Sequence, residues 1–433
     1  MTFIQKLKNP LITGTLFLTA SGVISRIIGF FYRIFLSRTI GAEGLGIYQL
    51  VFPVMALSLS LTSSGIQTAL SRFIAEETAK NNEKGARLYL VLGLLFSTAL
   101  SVAVSFLITQ NADFIASVLL FEPRTKPLLI VMTYSLLPAA VHACINGYYY
   151  GKKQALIPSV SQLLEQLVRV GTVYLIASIA MENGRSLSPL DAIWGIVAGE
   201  CAGMLLSVTA VGIRRYDGDA AASAKLLFAM TIPLTANRVL INLCTSVENL
   251  MIPKQLRLFG YNTPDALSIF GILTGMSMSV ILFPTVLTGS VSVLLLPAIS
   301  EAKARSDDAA ISHAIQKAVR YGLLLGFFFT GAFLITADFI GDSVFHCTLA
   351  GTYIKILSWI CPFMYLSSLL SSIIHGLGYP KIPLYISLLG CMIRIGAIWC
   401  FVPVFGLRAY LTGMLISQLV MAVLSLFSLK KVS

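Results

Sequence analysis

Charged side chains are scarce in this chain. Asp, Glu, Lys and Arg make up only 12% of it against 56% apolar residues, and mean hydropathy is +0.84. Soluble domains carry about 25% charged residues, so the shortage excludes an ordinary water-soluble globule before any motif is read. The 4 histidines show no ligand spacing. The 7 cysteines are odd in number and form no CxxC pair, which gives neither a disulfide framework nor a metal site. Within apolar runs they act as small hydrophobes. No phosphate loop and no nucleophile motif is present. These absences predict a protein that is not an enzyme, with no cofactor and no metal, and point to an all-α polytopic membrane protein.

Long apolar runs are what the chain has instead. A span takes about 20 residues, and that ruler predicts twelve helices at approximately 11–37, 45–71, 87–109, 127–150, 158–180, 188–213, 225–252, 267–300, 318–338, 350–375, 382–404 and 407–429. The eighth contains Gly271, Gly275, Pro284 and Gly289 and is expected to bend rather than split. Lys6 and Lys8 precede the first run as they would in a signal peptide. That run continues through Arg26 and Arg33 without a small-residue cleavage site, which reads as a retained helix. With both termini cytoplasmic, 18 Lys and Arg fall inside, 8 fall outside and five lie within spans. This bias predicts a multi-pass protein of the cell membrane. It also explains much of the +12 net charge with no nucleic-acid partner.

The halves repeat at a displacement of 225 residues. Gly46-Ile47 matches Gly271-Ile272, Ile74-Ala75-Glu76 matches Ile299-Ser300-Glu301, Pro158 matches Pro383, and Arg169-Val170-Gly171 matches Arg394-Ile395-Gly396. Asn146-Gly147 pairs with His375-Gly376 if the loop before Pro158 is slightly longer than the loop before Pro383. Six helices per half give both halves one orientation, hence two six-helix bundles, 1–216 and 217–433, related by an axis along the membrane normal. Transporters built this way hold substrate between the halves and alternate by rocking; a duplicated static scaffold is the plainer reading.

Five arginines lie inside apolar runs: Arg26, Arg33, Arg169, Arg238 and Arg394. Each costs roughly 2.5–3.5 kcal/mol at the centre of a lipid-exposed helix, so they are expected to face a wet interior and an anion. Gly22, Arg26, Gly29, Arg33 and Ser37 share one helical face, a basic stripe beside small residues. Arg33 can alternatively snorkel to the interface. Arg238, Asn242, Thr245 and Asn249 form a second stripe, either a cavity wall or a polar seam between helices. Glu248 beside it can pair with an arginine or titrate. Arg169 follows Glu165 by four residues, which suits an internal ion pair. Arg394 has Gly390 at that place and is expected to be the freer of the two, with Glu200 a cross-helix partner for either. His142 and Asn146 share a face, as do Ser368, Ser371 and His375; a histidine can carry a proton but is more often simply hydrogen-bonded.

Ser25-Arg26-Ile27-Ile28-Gly29-Phe30, Arg33, Arg38 and the run Gly41 to Gln49 resemble the opening of stage V sporulation protein B-like polysaccharide flippases. Leu164 to Arg169 resembles the same family's fifth helix. The resemblance covers essentially the whole chain and places it in the multidrug/oligosaccharidyl-lipid/polysaccharide (MOP) exporter superfamily, with peptidoglycan-precursor lipid flippases as relatives. It implies a MATE-like pair of six-helix bundles moving a lipid-linked, anionic (poly)saccharide between leaflets by alternating access, in cell-wall or sporulation-related assembly. Membrane lipid is the other partner. In the precursor-lipid flippases, first-helix arginines face the cavity; Arg26 matches their Ser-Arg pair directly and Arg33 matches the next arginine within about one position. Those relatives also carry a second-helix arginine, whereas no arginine lies in this chain's second span before Arg72.

The expected substrate-binding residues are therefore Arg26, Arg33, Arg238, Arg394, Asn242 and Asn249. Glu165, Arg169, Glu200 and Glu248 serve coupling or ion pairing, with the coupling ion left open. A multidrug cation antiporter of the same fold is the alternative. It calls for buried carboxylates, and the spans hold five arginines against three acids, Glu165, Glu200 and Glu248. A membrane-embedded glycosyl polymerase needs paired acid/base groups on a substantial outer loop. The outer loops are short, and Asp113, Glu122, Asp338 and Asp342 form no evident pair.

Overall fold

A computed structural model describes residues 10–212 and 219–432. Among the described residues there is no strand. The helices, in chain order, are α1 (Pro10–Thr39), α2 (Gly41–Ala79), α3 (Glu83–Gln110), α4 (Lys126–Gly151), α5 (Leu156–Glu182), α6 (Pro189–Val211), α7 (Ala220–Phe259), α8 (Thr263–Leu282, resuming at Thr285–Ala304), α9 (Asp308–Phe339), α10 (Thr348–Ser358 with Cys361–Gly376), α11 (Lys381–Phe405) and α12 (Leu407–Val432). Among the described residues eleven are individually long and apolar enough to span a bilayer, and counting the bent α10 as one span makes twelve.

Several helices outrun their apolar stretches, because backbone hydrogen bonding continues into polar turns until a cap stops it. α9 starts at Asp308, ahead of the expected residue 318, because Asp307 accepts from the Ala310 amide and caps it. α2 runs past Arg72, whose guanidinium pairs with Glu76 at 3.0 Å. α8 is interrupted rather than merely bent: Phe283 and Pro284 form a turn, since Pro284 has no amide to donate. α10, expected as one helix, bends by 54° just before Pro362 for the same reason.

Contacts gather the chain into two compact units, Met1–Tyr32 with Leu50–Ser246 and Arg33–Gln49 with Val247–Ser433. The boundary expected between residues 216 and 217 lies outside the described residues. The first part of α7 thus belongs to unit 1, and the α1–α2 corner belongs to unit 2. Small residues explain both. A Cβ on Gly65 would strike the Thr235 hydroxyl, so α2 and α7 run backbone to backbone within unit 1. In unit 2 a Cβ on Gly46 would strike the Leu267 carbonyl and one on Gly271 the Ala42 carbonyl. These two contacts are one contact written twice, for 42 and 46 map onto 267 and 271.

Each unit is built round a hub. In unit 1, α4 packs on α2, α3 and α6; in unit 2, α10 packs on α8, α9 and α12. Ile74, Ile145 and Tyr148 are buried in the first core, and Ile299, Leu370 and Ile373 occupy the same places in the second. The repeat reaches individual backbone angles. Left-handed residues recur 225 apart: Asn81 (φ 55) and Ser306 (φ 54), Phe121 (φ 54) and His346 (φ 52), Lys153 (φ 58) and Gly378 (φ 82). π-helical turns do too, at Ile115–Leu119 and Ile340–Val344.

One expected pairing is corrected. A Cβ on Gly151 would meet the Ser71 carbonyl at 2.7 Å and Ile74 Cβ at 2.8 Å, and one on Gly376 would meet the Leu296 carbonyl at 2.8 Å and Ile299 Cβ at 2.9 Å. Gly376 therefore corresponds to Gly151 and not to Gly147, and no longer loop is needed. The mismatched Asn146-Gly147 looked right only because Gly147 also presses on α2, at the Gln67 carbonyl 2.8 Å away.

Candidate substrate and ion-pair sites

Unit 1 gathers four ionisable groups from three helices, His142 and Glu200 buried and Glu165 and Arg169 half-buried. On α5, Arg169 donates to Glu165 one turn earlier. The same guanidinium lies 4.0 Å from Glu200 on α6. His142 on α4 completes the group, its Nδ1 3.7 Å from Glu200 and its Nε2 3.0 Å from the Ser161 hydroxyl. Gly195, Gly199 and Gly203 make this possible. A Cβ on Gly199 would meet the Glu165 carbonyl at 2.7 Å and Arg169 Cβ at 3.1 Å, and one on Gly203 would meet the His142 ring at 2.9 Å. This ladder of glycines every four residues lets α4 and α5 close over the charges. The sequence shows it at 195, 199 and 203, where it went unread.

His142, Glu165 and Glu200 bring one ligand atom each within 4.8 Å of one another, a separation that a metal ion can bridge. Residue spacing gave no hint of this grouping, because the three lie on different helices. Arg169, however, already supplies the cluster's cation. It is an ion-pair network by its contents.

Unit 2 buries a simpler set. Arg394 on α11 pairs with Glu248 on α7, Nε to Oε1 2.7 Å, and donates to the Ser417 hydroxyl on α12 at 3.0 Å. Tyr410 donates to the same Glu248 oxygen at 2.8 Å, and Ser417 donates to the Gly390 carbonyl at 2.9 Å. The expectation that Arg394 is the freer arginine is thus overturned: its acid comes from α7 instead of from its own helix. Tyr410 and Ser417 were missed, although they sit seven residues apart on one face of α12.

The α1 stripe divides. Arg26 is exposed, and the places where Gly22 and Gly29 would carry a Cβ meet nothing within 4 Å. Arg33 is half-buried in unit 2 and donates to the Ser279 hydroxyl at 2.5 Å. Arg38 donates to the Ser343 and Val344 carbonyls at 2.7 and 2.8 Å, satisfying the π-turn that ends α9. On α7, Arg238 is exposed and makes no hydrogen bond or ion pair among the described residues. Asn242 donates to Ser60, and Ser246 donates to the Pro53 carbonyl at 3.2 Å. That part of the second stripe is a polar seam against α2, whose π-turn Ser60–Ser64 turns hydroxyls inward. Asn249 is half-buried in unit 2.

Comparison with known proteins agrees with this architecture. A family model described as "Polysaccharide biosynthesis protein" matches residues 11–303, and the MatE model matches 238–400. Stage V sporulation protein B of Bacillus subtilis (strain 168) is 27% identical over 96% of this chain and 83% of its own length. Lipid II flippase MurJ of the same organism is 26% identical over 38% of this chain and 32% of its own. Among solved structures, an inward-facing multidrug resistance MATE family transporter of the MOP superfamily superposes with a TM-score of 0.77 at 14% identity, covering 94% of each chain. A MOP superfamily transporter from Pyrococcus furiosus, described as having a binding pocket of reverse polarity, superposes at 0.71 with 16% identity over 100% of this chain and 98% of its own. The fold is that of a MATE transporter.

Proposed function

The chain belongs to the polysaccharide biosynthesis protein family, and on that premise we propose that it moves an anionic lipid-linked saccharide from the inner to the outer leaflet by alternating access. One observation carries the reading: the three acids within the spans lie in ion pairs inside the units, while the exposed Arg26 and Arg238 add positive charge to apolar helices. Glu165 and Glu200 lie with Arg169 and His142, and Glu248 lies with Arg394. Arg26 and Arg238 are exposed on apolar helices, and Arg33 donates to the Ser279 hydroxyl. A pyrophosphate head is polar and negative, and such guanidiniums lower its barrier to crossing. Arg26, Arg33 and Arg238 are assigned to the pyrophosphate. Asn249 on α7 is a further candidate, whereas Arg394 bonds Glu248 and Ser417 within unit 2 and Asn242 bonds Ser60 within unit 1. The charge bias supports a cell-membrane location with both termini cytoplasmic.

The test is leaflet exchange of a fluorescent undecaprenyl-pyrophosphate-linked sugar in proteoliposomes, wild type beside Arg26→Ala. Loss of exchange in the variant is expected. Equal exchange in both moves the site to Arg238, and absence of exchange for any such lipid overturns the reading. Export of cationic drugs is the second reading, favoured by the MatE match and the MATE fold. It requires an acid released from its arginine. Drug sensitivity of a deletion strain decides it.

A further inference from the structure

A crevice of about 740 Å³ runs between α11 and α12, wholly within unit 2 and apart from both ion-pair clusters. Its floor is small because the facing residues are small: Gly396 and Ala397 on α11, Ala409 and Gly413 on α12. A Cβ on Gly413 would strike Ala397, so the helices touch there, while one on Gly396 would meet nothing within 4 Å. Met392, Phe401 and Phe405 stand up as walls. A narrow floor between tall apolar walls suits a linear hydrocarbon chain and not a fused ring.

Two further features identify the occupant. From Met392 to Phe405 the crevice follows thirteen helical steps, about 20 Å at 1.5 Å each, enough to run through one leaflet, about 15 Å of a hydrocarbon core about 30 Å thick. Its lining is mostly apolar: the Thr412 hydroxyl is spent on the Arg408 carbonyl, and the one charged residue is Arg408 at the α11–α12 corner. The Arg408 side chain is exposed and has no hydrogen bond or ion pair among the described residues. The corner is where a span meets the headgroup region, and one guanidinium matches the single charge of a phosphodiester.

We propose that the α11–α12 crevice is a binding site for one anionic phospholipid, its phosphate on Arg408 and an acyl chain along Gly396. The site shares no lining residue with either ion-pair cluster and does not depend on which substrate is carried.

Native mass spectrometry of the detergent-solubilised full chain tests it, with phosphatidylglycerol, phosphatidylcholine and undecaprenyl phosphate as probes. One phosphatidylglycerol should be retained in preference to phosphatidylcholine. Arg408→Gln should weaken the phosphatidylglycerol adduct about tenfold, the scale of one charge-assisted hydrogen bond, and leave phosphatidylcholine unchanged. Gly396→Leu should displace both lipids by filling the floor, whereas Gly396→Ala, which meets open space, should keep them and show that the fold tolerates a side chain there. Equal retention in wild type, Arg408→Gln and Gly396→Leu would overturn the proposal. Preferential retention of undecaprenyl phosphate would also overturn it, and would hand the crevice to the tail of the transported lipid.

Discussion

The two units carry one backbone and two different buried charge sets. Unit 1 holds two carboxylates, a guanidinium and an imidazole; unit 2 holds one carboxylate and one guanidinium, completed by Tyr410 and Ser417. The arginines are equivalent, 169 and 394, but their acids are not. Unit 1 places an acid one turn earlier on the same helix, at Glu165, where unit 2 has Gly390. Unit 2 instead takes Glu248 from α7. Duplication preserved the need to neutralise a membrane-buried arginine and left the source of the negative charge to vary. Such a pair contributes little net stability, but removing one partner strands the other at a large cost.

The largest effect follows from that asymmetry. Glu248→Gln removes the carboxylate that pairs with Arg394 and should cost about 3–5 kcal/mol. Glu165→Gln leaves Arg169 beside Glu200 at 4.0 Å, and should cost about 1 kcal/mol, the scale of one net hydrogen bond. Equilibrium unfolding in mixed micelles measures both. Equal losses would break the contrast between a redundant and a single-acid cluster.

A transplant sharpens it. Gly390→Glu puts the acid of unit 1 into unit 2, one turn ahead of Arg394. The new Cβ meets Met421 Sδ at 2.5 Å and the Ser417 hydroxyl at 3.1 Å. Met421 is flexible and can yield, so alone the change should destabilise by about 1–3 kcal/mol. In a Glu248→Gln background it should recover part of the loss, with a coupling of roughly 0.5–3 kcal/mol. Additive losses would show that the position of the acid matters as well as its charge.

What the sequence could and could not reveal follows the same division. Twelve spans, the register of 225 and the Glu165–Arg169 pair are local or periodic signals, and each was legible. The Glu248–Arg394 pair joins residues 146 apart in the chain, and nothing in either helix alone announces it. Nor does an apolar-run count see a cap, so α9 begins ten residues ahead of its apolar stretch, at Asp308 and not 318. The Asn242 stripe has helical spacing whether it lines water or a neighbouring helix, and only its bond to Ser60 separates the two. Glycine ladders carry no hydropathy signal at all, yet they decide how closely α6 meets α4 and α5.

The smallest effect concerns the features the two units share. Gly151 and Gly376 end their hub helices on equivalent atoms, a carbonyl and an isoleucine Cβ within 2.9 Å of where a methyl would sit. Each Gly→Ala substitution forces backbone against backbone, which cannot be relieved by turning a side chain. The expected cost is about 1–3 kcal/mol at each site. The two sites share no partner, since one presses on Ser71 and Ile74 and the other on Leu296 and Ile299. Their costs should therefore be similar to each other and should add in the double variant within about 0.5 kcal/mol, read by the same unfolding titration. A much larger loss at one glycine would mean that the repeat holds for the backbone trace but not for the tightness of packing. Strong non-additivity would mean instead that the hubs α4 and α10 unfold as one cooperative element.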